Sequence, residues 1–189
     1  ERRMSIINVI TPPDPVVTYD EAKAHLRLDS DDERAIVENL IATATAALDG
    51  PDGWLGRALG MQTLELRLDG FPPDGIAVPL PPVVSVDGIT YDAPDGSEAS
   101  LASDLYRQIG GTASPRIVLK TGARWPATGC QAEAVRVRYQ AGYPDGIPKP
   151  IRQAILLGVG ALFEAREDHD APSAVLTAAG ALLAPFKVY

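Results

Sequence analysis

The sequence predicts an α+β protein: a small helical core of about four helices, built from the two ends of the chain, with a β-rich insertion between them. Three observations predict it. Apolar residues recur at helical spacing before residue 50, alternate with polar residues between 62 and 140, and return to helical spacing after Pro150. The expected boundaries are a discontinuous core over 16–60 and 147–184, an insertion over 61–143 and a C-terminal tail over 185–189.

Two helix starts follow one another near the N-terminus. Thr18 with Glu21, and Ser30 with Glu33, have the spacing at which a Ser or Thr oxygen accepts an orphan amide while the Glu reaches back to the cap. They predict one helix over about 18–27 and another over about 31–48. The second repeats Ile36, Val37, Leu40, Ile41, Ala44 and Leu48 on one face and ends at Gly50-Pro51. Its acidic first turn suits the positive end of the helix dipole. Met4 reads as a natural start, so residues 1–3 are left aside.

From Gln62 the period changes to two. "TLELRL" (63–68), "VVSVDGITY" (83–91) and "EAVRVRYQ" (133–140) read as half-buried strands, and "DLYRQI" (104–109) and "RIVLK" (116–120) add two more. Pro72-Pro73-Asp74-Gly75, Pro79 to Pro82 and Pro94-Asp95-Gly96 supply turn chemistry between them.

After Pro150, Ile151, Ala154, Ile155, Val159 and Leu162 make an apolar stripe that Leu156, Leu157, Ala161 and Phe163 widen over most of the circumference. A helix apolar nearly all round must be covered on more than one side. A last helix is expected over about 173–183, with Ser173 as its cap, before the ending "LLAPFKVY".

Searching for chemistry excludes more than it finds. The leucine-rich stretches 151–163 and 174–183 fall short of the roughly 20 apolar residues that span a bilayer. Cys130 is the only cysteine, which suits a reducing compartment, and His25 and His169 are far apart, so neither a zinc cluster nor a serine–histidine relay is expected. The glycines of "IGGT" (109–112) and "DGPDGWLGRALG" (49–60) lack phosphate-loop spacing and read as turns. "DSDDE" lacks the glycine and twelfth-position glutamate of a calcium loop, and reads as a helix N-terminus. "EDHD" (167–170) reads as a solvated helix end, and Trp54 and Trp125 read as packing residues. No catalytic, cofactor-binding or metal residue is expected, and the chain is not read as an enzyme.

The net charge of −8 is polarised. Residues 14–52 hold ten acids and three bases, 53–104 eight and two, and 105–152 two and eight. The bases Arg107, Arg116, Lys120, Arg124, Arg136 and Arg138 lie on or near expected strands, but the acidic remainder disfavours sequence-specific DNA binding. Either two solvated faces differ in charge, or an acidic segment meets a basic segment of a neighbouring copy.

Taken in order, "VTYDEAKAHLRLDSDDERAIVENLIATATAALD", "GRALGMQTLELRLDGFP", "YQAGYPDGIPKPIRQAILLGVGALFEARE" and "LLAPFKVY" resemble the head-to-tail connector (adaptor) proteins of tailed bacteriophages and phage-derived gene transfer agents. The similarity runs from Val16 to Tyr189 and is weakest between about 92 and 130. It implies a non-enzymatic, cofactor-free ring, dodecameric when assembled, that docks beneath the portal at a capsid vertex, receives the stopper or tail and continues the DNA channel. It also implies a place at the head–tail junction of a particle assembled in the bacterial cytoplasm, with no membrane contact.

On that resemblance the tail residues Leu182, Leu183, Pro185, Phe186, Lys187, Val188 and Tyr189 are expected to bind the portal. From sequence alone a fold back onto their own core is the alternative. A closed ring needs a heterologous interface, to which Asp31, Asp32 and Glu33 on one side and Arg136, Arg138 and Arg152 on the other are assigned. Some bases would instead line the channel, touching DNA weakly and without specificity. Two other functions stay open: a stopper or tail-completion protein of the same particle, and a ligand-binding module or enzyme using Trp125 and Tyr106 of the insertion.

Overall fold

Thr18 caps the first helix, α1 (Tyr19–Leu26), as its spacing predicts: its Oγ1 accepts the Glu21 amide at 3.3 Å while Glu21 Oε2 accepts the Thr18 amide at 2.8 Å. The computed structural model describes residues 5–111, 114–164, 177 and 179–188. The chain divides into two compact units, Asp14–Gly60 with Tyr143–Tyr189 and Glu1–Pro13 with Met61–Gly142.

In the first unit the second expected capping box does not form. Helix α2 spans Arg34–Ala46 with Glu33 at its cap and no side-chain cap bond, three residues later than the spacing predicts. Ser30 turns back locally instead: its Oγ accepts the Asp32 amide and donates to Asp32 Oδ2. Asp31 is held by Lys23 Nζ at 2.6 Å and by the Tyr19 hydroxyl at 3.0 Å. Local Ser and Asp bonding thus competes with the helix and displaces its start.

Helix α3 (Lys149–Glu164) buries Ile151, Ala154, Ile155, Gly158, Val159 and Leu162, and half-buries Leu156, Leu157, Ala161 and Phe163. In one core with its stripe are Val37, Ile41 and Ala44 of α2, Leu48 just after that helix, and Leu55 and Leu59 of the glycine-rich turn. Each fully buried leucine or isoleucine contributes roughly 1.5–3 kcal/mol. His25 is a packing residue: a Cβ added at Gly160 of α3 would lie 3.6 Å from its Nε2. Residues 179–183 are helical, as expected for the end of the last helix, whose expected start at Ser173 lies outside the described residues, as do "EDHD" and His169.

The second unit holds a five-stranded antiparallel sheet in the order β1-β2-β8-β4-β5 and a three-stranded one in the order β3-β7-β6. The strands are β1 (Ser5–Thr11), β2 (Gln62–Leu68), β3 (Ile76–Ala77), β4 (Val83–Asp92), β5 (Glu98–Ser100), β6 (Tyr106–Ile109), β7 (Arg116–Leu119) and β8 (Val135–Ala141). Strand β1 lies ahead of the elements that the sequence predicts. Its run "SIINVIT" carries no period-two signal, and it pairs with β2, more than fifty positions on.

Register between β2 and β8 places Leu64, Leu66 and Leu68 opposite Tyr139, Val137 and Val135, all buried. The intervening residues Glu65, Arg67, Arg136 and Arg138 therefore share the other face. A slip of one residue would exchange the faces, so the alternation fixes the pairing. Burial pushes the Tyr139 phenol well above its ordinary pKa, and its hydroxyl donates to the Pro79 carbonyl at 3.1 Å.

Candidate assembly surfaces

The described part of the C-terminal tail packs on its own unit. Leu183 is fully buried, and a 3₁₀ turn (Ala184–Phe186) follows it. Arg57 Nε donates to the Phe186 carbonyl, and the Val188 amide donates to the Leu55 carbonyl at 2.9 Å. Lys187 Nζ stands 4.0 Å over the Trp54 ring, a cation–π contact. Phe186 is half-buried against the core, whereas Leu182, at 38% exposure, and Pro185 face outward. Tyr189 lies outside the described residues.

The residues that receive the tail, Trp54, Leu55 and Arg57, belong to the turn "DGPDGWLGRALG". This turn is itself braced by Asp49 Oδ1, which accepts the Leu59 amide at 2.7 Å. Gly56 needs its glycine: φ is +62°, and an added Cβ would lie 3.1 Å from the Val188 carbonyl oxygen. The glycines of this stretch announce a turn, but nothing in their spacing announces a seat for a segment about 130 positions later.

The residues assigned to a subunit contact are engaged within their own units. Arg152 Nη1 donates to Glu21 Oε1 at 2.5 Å. Arg136 Nη2 donates to Asp92 Oδ1 at 2.6 Å and to Glu98 Oε2 at 2.8 Å. Arg138 Nη2 reaches Glu65 Oε2 at 3.2 Å, but its side chain stays 55% exposed. Asp31 is paired with Lys23, Asp32 bonds Ser30, and Glu33 stands at the N-cap position of α2.

Glu65 explains the sheet's charged face. Its carboxylate is almost wholly buried and lies between Arg67 Nε at 2.8 Å and Arg138, while Arg67 Nη1 continues to Glu133 Oε2 at 2.8 Å. A second cluster holds Arg136, Asp92, Glu98 and Gln131, whose amide also donates to Asp92. The Arg136 guanidinium keeps the Asp92 carboxyl below its usual range, and Gln131 adds to this. Alternation in "TLELRL" puts Glu65 beside Arg67, but the partners from β8 follow only from register. The mixed face is lined by Glu65, Arg67, Asp87, Glu98, Arg136 and Arg138.

Trp125 and Tyr106 sit on different elements, a loop and a strand. Trp125 is stacked on Phe71 with ring centroids 4.7 Å apart, and Phe71 meets Tyr91 edge-on at 5.6 Å, so this is packing, as expected. Tyr106 lies on β6 of the three-stranded sheet. Among the described residues no group of three His, Cys, Asp or Glu residues could hold a metal, and no helix is long and apolar enough to cross a membrane. Cys130 is exposed.

No family model and no curated protein matches the chain. Among solved structures it is similar to a chain in the neck of an empty gene transfer agent (GTA) particle computed with C6 symmetry, with a TM-score of 0.76 and 24% identity. It is similar also to chains in the virion of a native GTA particle, at a TM-score of 0.77 and 24% identity, and in the neck of a native GTA particle computed with C12 symmetry, at 0.76 and 24%. Each match covers 97% of this chain and 96% of the other. At that identity the likeness is one of fold, and it takes in both units.

Proposed function

We propose that this chain is a structural component of the neck of a phage-like particle, a connector (adaptor) that forms a ring on the portal and links the capsid to the stopper and tail. The observation that carries the reading is the fold likeness over 97% of the chain to chains of GTA neck structures, one of them computed with C12 symmetry. A ring of twelve copies would leave an axial passage for DNA.

The proposed portal contact lies at the C-terminus. Leu183, Phe186, Lys187 and Val188 seat the tail on its own unit, which leaves Leu182 and Pro185 as its outward residues. Exposed leucine beside an anchored turn suits docking without a free tail. For the subunit contact, Asp31, Asp32 and Glu33 are proposed to face the next copy. Arg138 is the exposed arginine able to answer them, since Arg136 and Arg152 are held more tightly by carboxylates of their own units.

Co-sedimentation with assembled portal tests the reading, comparing the full chain, a chain ending at Ala184 and Leu182→Asp. Binding by the full chain that both changes abolish supports docking through the tail. Binding that both retain moves the docking surface elsewhere, and no binding to portal alongside binding to a tail-tube protein favours a stopper.

A further inference from the structure

Strands β6 and β7 form an antiparallel ribbon whose chemistry differs from the rest of the chain. No Asp or Glu occurs from Leu105 to Ala132, although the chain carries −8 overall. Register sets Arg107 opposite Val118 and Ile109 opposite Arg116, and the Lys120 amide donating to the Leu105 carbonyl at 2.9 Å extends the pairing by one step. Residues 116, 118 and 120 alternate onto one face, which Arg107 shares as the partner of Val118. Arg116 and Lys120 are then the two diagonal neighbours of Arg107, with Cα atoms roughly 7–8 Å from it.

All three side chains are exposed, as is Arg124 in the following turn. Arg34, Arg67, Arg136, Arg138 and Arg152 each pair with a carboxylate of their own unit. Among the described residues Arg107, Lys120 and Arg124 have no such partner, and Arg116 meets only the backbone carbonyl of Asp74, at 2.7 Å. Like charges grouped without an anion repel one another, so the arrangement costs stability unless a polyanion meets it.

We infer that the Arg107–Arg116–Lys120 face of the β6–β7 ribbon binds the phosphate backbone of duplex DNA without reading sequence. The source of that duplex rests on the neck reading above. A second copy of the chain is a poorer occupant: Asp31, Asp32 and Glu33 are the acids proposed to answer Arg138 of the next copy, and Glu21 and Glu38 are already matched by Arg152 and Arg34. Single strands are poorer too, because they need aromatic rings on which bases stack, and Tyr106 points to the opposite face of the ribbon by the same alternation. The acidic remainder of the chain repels DNA, so the contact is weak and releases its ligand, as a passage requires.

Fluorescence anisotropy of a labelled mixed-sequence duplex with the full chain tests this. Three phosphate contacts give a slope of log K against log salt of about −2.7, a loss of roughly 40-fold between about 50 and 200 mM. Arg107→Ala with Arg116→Ala and Lys120→Ala abolishes binding, Lys120→Ala alone reduces the slope by about 0.9, and Arg138→Ala leaves it unchanged. No binding at low salt, or equal binding by the triple variant, overturns the inference. So does a triple variant that loses self-association in sedimentation while the parent ignores the duplex, which assigns the face to a second copy. Duplex binding without portal binding sinks the portal-adaptor reading alone, and portal binding without duplex binding sinks this inference alone.

Discussion

Arg152 on α3 and Glu21 on α1 meet at 2.5 Å although 131 positions separate them. The same carboxylate accepts the Thr18 amide, so one side chain both closes the cap of α1 and ties that helix to α3. The Thr18 amide first, and then Arg152, hold the Glu21 carboxyl below its usual range.

Glu21→Gln therefore weakens a cap and a pair together, and we expect a loss of about 1–2 kcal/mol in urea unfolding. Arg152→Ala removes only the pair, which is about a third exposed, and should cost about 0.5–1 kcal/mol. A double-mutant cycle giving no coupling would assign the whole Glu21 effect to the cap.

Acid should destabilise the protein. Glu21 is held low by Thr18 and Arg152, Asp31 by Lys23 and Tyr19, and Asp92 by Arg136 and Gln131. A carboxylate whose folded pKa lies below its unfolded value adds stability that is complete above the ordinary range, about pH 4, and lost as pH falls through the folded value. Thermal melting should show a Tm flat from about pH 7 to 5 and falling below about 4, and an unchanged Tm at the lowest pH would contradict these pairs. The raised Tyr139 phenol acts oppositely, its contribution present below about pH 10 and lost above.

Adjacent tail leucines should separate stability from docking. Leu183→Ala opens a cavity in the core and should cost about 2–4 kcal/mol, whereas Leu182→Ala should change stability by no more than about 0.5 kcal/mol. If Leu182→Ala nevertheless reduces portal co-sedimentation, the outward leucine is the docking residue. Equal stability losses would refute the described packing.

Gly56→Ala should loosen the tail. The positive φ alone costs about 1 kcal/mol, and the added methyl crowds the Val188 carbonyl. Amide exchange at Val188, whose bond to Leu55 would weaken, should accelerate more than exchange in α3. Uniform exchange would show that the tail is not seated there.

Arg136→Ala leaves Asp92, with a side chain only 14% exposed, without its guanidinium, and should cost about 2 kcal/mol. Arg136→Lys should recover part of that loss, because one ammonium cannot span Asp92 and Glu98 as the planar fork does. Full recovery in a melting experiment would mean that only net charge matters at this site.

Local rules determined the parts of this chain that interact within a few residues. Thr18 and Glu21 close a cap that their spacing announces, and the stripe on α3 and the alternation on β2 and β8 place the buried faces correctly. From Tyr19 on, the order of helices, strands and helices followed from the same periodicities. Where local signals compete the reading erred: Ser30 bonds Asp32, and Asp31 is drawn to Lys23 and Tyr19, so α2 begins late.

Only tertiary structure decided what distant residues do for one another. Strand β1 is ordered by pairing with β2, the turn at Trp54–Arg57 becomes a seat because the chain's last residues return to it, and Glu65, Asp92, Glu98 and Glu21 claim arginines that looked free for a neighbour. The physical reason is that helical and strand periods are set by the covalent chain, whereas an ion pair is set by which carboxylate arrives within a few ångströms once the strands and helices have packed. Of the bases legible between 105 and 152, folding engaged Arg136 and Arg152 with carboxylates of their own units, left Arg138 half in solvent beside Glu65, and left Arg107, Arg116 and Lys120 facing outward together.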